Sequence, residues 1–301
     1  MTSFKEYLSE AKKNTPNYLE MLEKLQLEDR CGPFISANRA SLQDGKILRR
    51  LMGESSSDLA EKFKLGMPQL RPVRTNRRPR DSRLEVHNLT DAFFKEKFGY
   101  NYRSGAVFTQ KSDKFITPYS DFMWAIFPVG QYTLCYSKAV ADLAVKIDTD
   151  ISMTAHADFA KWLMKQKSTY GFKMTSDVTW SLVQLIFSNY LARENQRDNL
   201  LSFWTEAYNQ NYDNWKDLVY DENFVTCVRI AVSNTELPST KAAALFDRIL
   251  FDYLGSLGYK ESKTYGDVKG QNEIMIKTEQ YIAIPLVAPR AFIAALKEYL
   301  K

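Results

Sequence analysis

Four groups of residues in this chain are of types and spacings that can do chemistry. Near the far end, Gln271 and Glu273 stand two apart in GDVKGQNEIMIKTEQYIAIPL, residues 266–286. Residues two apart on a strand share a face. Gln271, Glu273 and Met275 would then point one way, and Asn272, Ile274 and Ile276 the other. Such a pair is either two polar groups aimed at one ligand or an ordinary polar strand edge. The second group is Arg49 and Arg50, inside the apolar run ILRRLMG. The third is Thr109, which closes the strand-like GAVFTQ and is followed by a polar loop to Tyr119. The fourth is RPVRTNRRPRDSR, residues 71–83, which includes Arg77, Arg78 and Arg80.

That last segment carries the charge of the whole chain. The 41 basic and 36 acidic residues differ by five, and the six arginines and one aspartate of 71–83 account for all of it. Arginines gathered this way can hold the phosphates of a nucleotide or of nucleic acid. The plainer alternative is a solvated loop paired with local carboxylates.

Other chemistries find little support. Two histidines, His87 and His156, lie in helical contexts and read as structural residues. Cys31, Cys135 and Cys227 are far apart and odd in number, which fits a reducing, cytoplasmic setting without a disulfide framework. No Cys/His spacing matches a zinc site, so no metal is expected. The opening MTSFKEYLSEAKKN lacks the apolar core of a signal peptide, and no run has the length of a membrane-spanning helix.

The elements that must position these groups follow from pattern and punctuation. With 301 residues, 45% of them hydrophobic, the chain can bury a sizeable core. Ser3 with Glu6, and Ser82 with Glu85, are capping-box patterns. A helix is expected over PNYLEMLEKLQLE, broken by DRCGPFISAN. The run 41–53 reads equally as strand or helical turn. A helix follows over RLEVHNLTDAFFKEKFG, ending at Gly99. Strands are expected at 105–110, 122–130 and 131–137, and helices over most of 139–253. The apolar runs EIMI and YIAIP, either side of a short polar turn, read as a strand hairpin. The order points to an α+β protein whose sheet is assembled from distant segments.

This arrangement resembles the ADP-ribosyltransferase family, in which an early strand carries an arginine, a second carries a hydroxyl motif, and a late strand carries Glu/Gln-x-Glu. It looks like the phage-encoded members. The matching text is LRRLM, NRRPRDSRLEVHNLTDAFFKEKFGYNYRSGAVFTQ, PYS, FPVG and GQNEIMI, within roughly the first 140 residues and 255–290. The resemblance implies a split antiparallel sheet with flanking helices and a large helical insertion. It implies a helical segment at 1–40, a sheet core at 41–138 and 255–301, and the insertion at 139–254.

It also implies roles. Glu273 would stabilise the oxocarbenium-like transition state formed when NAD loses nicotinamide, with Gln271 toward the incoming nucleophile. Arg50 would clamp the NAD phosphates, Thr109 would support the active face, and Tyr119 would stack on nicotinamide. The implied reaction transfers ADP-ribose from NAD to a macromolecule of an infected bacterial host, a protein or a nucleic acid. The enzyme would act in the host cytoplasm, carried there in the virion or made in place, with no membrane partner. Three positions depart from the family pattern: Leu51 stands where glycine is usual, Phe108-Thr109-Gln110 replaces Ser-Thr-Ser, and Gln271 replaces the glutamate of arginine-modifying members. The alternative is an inactive relative, a virion component or a binder of a host factor. For Arg50 the plain alternative is pairing with Asp44 or Glu54, and for Glu273 a solvated strand end.

Overall fold

Asn17 opens the first helix: its side chain accepts the Glu20 backbone N–H at 3.3 Å, and helix α1 runs Tyr18–Lys24. The computed structural model describes residues 16–51, 66–78, 84–112, 123–143, 145–146, 157–166, 169 and 248–301. Helix α2, Leu27–Gln43, corrects one expectation. DRCGPFISAN does not break the helix but kinks it. Cys31 leaves helical geometry at φ −113° and ψ 18°, two residues before Pro33. The kink accommodates the proline ring and its missing N–H. The helix continues because Leu27, Cys31, Phe34, Ile35, Asn38 and Leu42 bury one face along its length.

The remaining elements are β1 Arg49–Leu51, β2 Gln69–Pro72, α3 Leu84–Phe98, α4 Tyr102–Gly105, β3 Val107–Thr109, β4 Met123–Val129 and β5 Thr133–Tyr136. These are followed by α5 Ala157–Gln166, β6 Lys260–Ser262, β7 Ile274–Lys277, β8 Gln280–Pro285 and α6 Pro289–Tyr299. Residues 248–256 are also helical. The protein is α+β, with antiparallel sheets built from distant segments. One four-stranded sheet has the order β1-β4-β8-β2, the other β3-β7-β5-β6. A single bridge joins β1 to β3: Arg49 and Gln110 exchange backbone hydrogen bonds of 2.8 and 2.9 Å.

The expected hairpin at 274–285 does not form. β7 pairs with β3 and β5 in the second sheet, and β8 pairs with β4 and β2 in the first. β4 and β5, also consecutive, part in the same way. The apolar runs explain this. β7 and β8 are each buried along nearly their whole length, so each takes an interior place with a partner on both sides. The link Thr278-Glu279 also lacks the glycine and asparagine that favour a two-residue hairpin turn. The two crossings touch, because the Thr278 hydroxyl donates to the Val129 carbonyl at 3.2 Å. Gly130, beside that carbonyl, has φ +66°, a conformation that suits glycine at the corner.

Helices cover one face of the first sheet. Phe127 of β4 meets Phe34 of α2 at 6.1 Å and Phe292 of α6 at 6.4 Å, and Tyr18 of α1 meets Phe292 at 5.3 Å, all edge-on. Such pairs contribute about 0.5–1.5 kcal/mol each beyond area burial. On the opposite face, alternation and register gather Arg50, Trp124, Ile126, Tyr281, Ala283 and Arg71.

By contact density the chain divides in two. One unit comprises Met1–Arg78, Phe94–Asp142 and Gly258–Lys301 and holds both sheets; the other comprises Pro79–Phe93 and Leu143–Leu257. Within the second unit, Tyr253 packs edge-on against Phe159 at 4.8 Å, and His87 meets Asp91 at 3.6 Å across one helical turn. His87 and Asp91 are both buried. No described helix is long and apolar enough to cross a membrane.

Candidate functional site

A single row of side chains crosses the second sheet. Phe108 of β3 lies opposite Met275 of β7, which lies opposite Cys135 of β5, which lies opposite Glu261 of β6. Glu273 stands two residues before Met275 and joins this face. The segment leading to it is held by several bonds. Asn38 of α2, buried, donates to the Lys263 carbonyl at 3.0 Å and accepts the Tyr265 N–H at 3.2 Å. The Gly270 carbonyl accepts from the N–H groups of Lys111 and Ser112 at 3.0 and 2.7 Å. Asn272 donates to the Ser137 carbonyl at 2.9 Å, and the Glu273 N–H donates to the Ala141 carbonyl at 2.7 Å. The backbone on both sides of the carboxylate is therefore fixed.

The Glu273 carboxylate meets Arg103, which α4 supplies. Arg103 Nη1 donates to both carboxylate oxygens, at 2.9 and 3.2 Å. The two side chains are 11% and 12% exposed. The Arg103 guanidinium also lies 4.6 Å from the centre of the Phe108 ring, and that of Arg77 lies 4.3 Å from it. Burial pushes the Glu273 carboxyl up to about 7, with Arg103 and Arg77 pulling it down and Asp142 pushing it further up. A carboxyl held there can change protonation near neutral pH. Burial also raises the Cys135 thiol and the Tyr259 hydroxyl well above their ordinary values and the Cys31 thiol to about 12. Neither thiol is an activated nucleophile.

Arg50 lies on the first sheet, opposite Trp124. Its side chain is half-buried. Burial lowers its pKa, Tyr281 opposes that, and Arg71 and Arg74 lower it further. Among the described residues no carboxylate pairs with it; Asp44 pairs instead with Lys46 at 2.9 Å. Gln69, on the edge strand β2, has a buried Nε2 with no hydrogen-bond partner among the described residues.

The expected site residues thus separate. Glu273 and Arg77 come together on the second sheet. Arg50 belongs to the cationic cluster on the first. Gln271 lies exposed in the turn before β7, so strand alternation does not reach it. Thr109 is buried on the face opposite Phe108, and its hydroxyl donates to the Ile274 carbonyl at 2.9 Å, which ties β3 to β7. Arg78 is exposed. Tyr119 and Arg80 lie outside the described residues. Arg103 and Phe108 are the additions. Phe108 was legible as the neighbour of Thr109 that alternation turns to the other face. No spacing in the sequence links Arg103 to a glutamate 170 positions away.

Among the described residues, no group of three His, Cys, Asp or Glu side chains is placed to hold a metal ion. No protein-family model, curated protein or solved structure matches the chain.

Proposed function

We propose that the chain transfers ADP-ribose from NAD to a macromolecular acceptor of an infected bacterial host, on an ADP-ribosyltransferase-like split sheet. One observation carries this reading. The strand that Glu273 leads into, the Val-Phe-Thr strand and the Arg50 strand follow one another in the order β7-β3-β1, the last step through the Arg49–Gln110 bridge, although they come from segments far apart in sequence. That adjacency is what the resemblance requires of its arginine, hydroxyl and glutamate strands.

In this reading Arg50 takes the NAD diphosphate. Its half-buried side chain stands near Arg71 and Arg74 without a described carboxylate, and an anion would relieve that unfavourable field. Glu273 is ionised above about 7. It stabilises the positive charge that develops on the ribose as the nicotinamide–C1′ bond breaks and its electron pair leaves with nicotinamide. The acceptor nucleophile then bonds C1′ and passes its proton to solvent water. Gln271, by the resemblance, turns the acceptor away from arginine.

The test is transfer of labelled NAD onto host lysate. Glu273→Gln is expected to abolish labelling, and unchanged labelling by that variant removes Glu273 from the role. A second reading, an inactive virion or host-factor-binding protein, has its own support. Arg103 engages both Glu273 oxygens in a buried pair, as a purely structural ion pair would. Calorimetry decides between them: the absence of any heat on titrating NAD favours the second.

A further inference from the structure

The arginine segment continues from β2 as a strap, and its anchoring makes it a surface rather than a loose loop. The Val73 N–H donates to the Glu279 carbonyl at 2.9 Å, and the Arg77 N–H donates to the Ser104 carbonyl at 3.1 Å. Glu279 sits at the crossing between the sheets, and Ser104 sits beside Arg103. Between these two ties, Arg74, Thr75 and Asn76 are exposed, as are Arg77 and Arg78. One end of the strap belongs to the Arg50 cluster, since Arg71 and Arg74 both act on Arg50. The other end reaches Glu273, because Arg77 lies over Phe108 and acts on the carboxylate.

We infer that this strap binds the backbone of a single-stranded nucleic acid and delivers it to Glu273 as the acceptor. The inference rests on the transferase reading for the word acceptor, but the binding itself does not. Three features favour a nucleic acid strand. All six cations of 71–83 are arginines, with no lysine among them. Arginine pairs its planar fork with phosphate and stacks on bases, where lysine offers a point charge. The strap is also long. Residues 71–78, if fully extended, reach about 25 Å, well beyond the paired phosphates of one dinucleotide. Finally, Arg74 and Arg78 pair with no carboxylate among the described residues, so their charge is available to a polyanion. A single strand is preferred to a duplex because the reacting group must leave the stack to meet Glu273.

The experiment is fluorescence anisotropy with a labelled single-stranded 12-mer, without NAD, across a salt series. The full chain is expected to bind, and Arg74→Gln/Arg78→Gln to weaken binding about tenfold. Loss of two phosphate contacts should make the slope of log affinity against log salt shallower by about 1.4. Both substituted residues are exposed, and an unchanged melting temperature checks that the variant folds. Unchanged affinity in the variant overturns the proposal. So does competition by polyglutamate equal to that of unlabelled oligonucleotide, which would point to an acidic protein partner. Labelling by NAD is read separately. Binding with no NAD chemistry fails the transferase reading alone, and NAD chemistry with no oligonucleotide binding fails this inference alone.

Discussion

Arg103, on α4 beside the second sheet, and Arg50, on the first sheet, are both partly drawn out of solvent, and their surroundings differ in sign. Arg103 faces Glu273 and has Asp142 nearby. Arg50 faces Tyr281, Arg71 and Arg74. A buried cation with a carboxylate is a closed arrangement, whereas a buried cation among cations is stable only because long side chains keep partial access to water. Among the described residues, the cation beside the second sheet has a carboxylate partner and Arg50 on the first has none. Any chemistry at Glu273 must begin from the closed arrangement, and any binding at Arg50 from the open one.

The largest expected effect tests this contrast directly. Arg103→Met should destabilise the protein by about 3–5 kcal/mol at pH 8, because it strands an ionised, buried Glu273. Arg50→Met should cost about 1 kcal/mol or less, or stabilise. Urea unfolding of both variants reads the difference, and equal losses would dissolve the contrast.

Acidity sharpens it. The folded Glu273 carboxyl titrates at about 7, against an ordinary value of 4.5. Between those values the folded state keeps a proton that the unfolded chain gives up. The stability it contributes is fully present below 4.5 and is lost as pH rises through about 7, a change on the order of 3 kcal/mol. Glu273→Gln should flatten that part of the stability curve, measured by urea midpoints at stepped pH.

Next, pyrophosphate should raise the melting temperature of the wild-type protein and leave that of Arg50→Met unmoved. At a hundredfold excess over its dissociation constant the stabilisation is about 2.7 kcal/mol. The smallest effect belongs to Thr109→Val, which should cost about 1 kcal/mol by removing the hydroxyl bond to the Ile274 carbonyl. A much larger loss would mean that this residue does more than tie two strands.

These contrasts could be read from the sequence only in part. Apolar runs marked the strands, and Gly99, with φ +70°, marked the end of α3. Glu273 stood out by its spacing two residues from Gln271 and by the resemblance of that pair to Glu/Gln-x-Glu. The sheet order was not legible. A short link suggested that β7 and β8 pair locally, but burial on both faces sent each strand to separate neighbours. Proline at position 33 suggested a break, yet the buried face of α2 continued across it. The Arg103 partnership depends on which strands lie side by side, and composition carries no trace of that.

One consequence concerns how the protein is made. β7 is flanked by β3 and β5, and β8 by β4 and β2, so the last two strands are interior in both sheets. During ribosomal synthesis β1 can pair with β4, and β5 with β6, but β2 and β3 wait for these last two strands. The second sheet cannot close until residue 277 has left the exit tunnel, nor the first until residue 285, and until then the nascent chain holds strand edges open. Such long-range pairing is slow to form. A ribosome stalled before residue 274 would release not a smaller protein but a chain without a middle to either sheet.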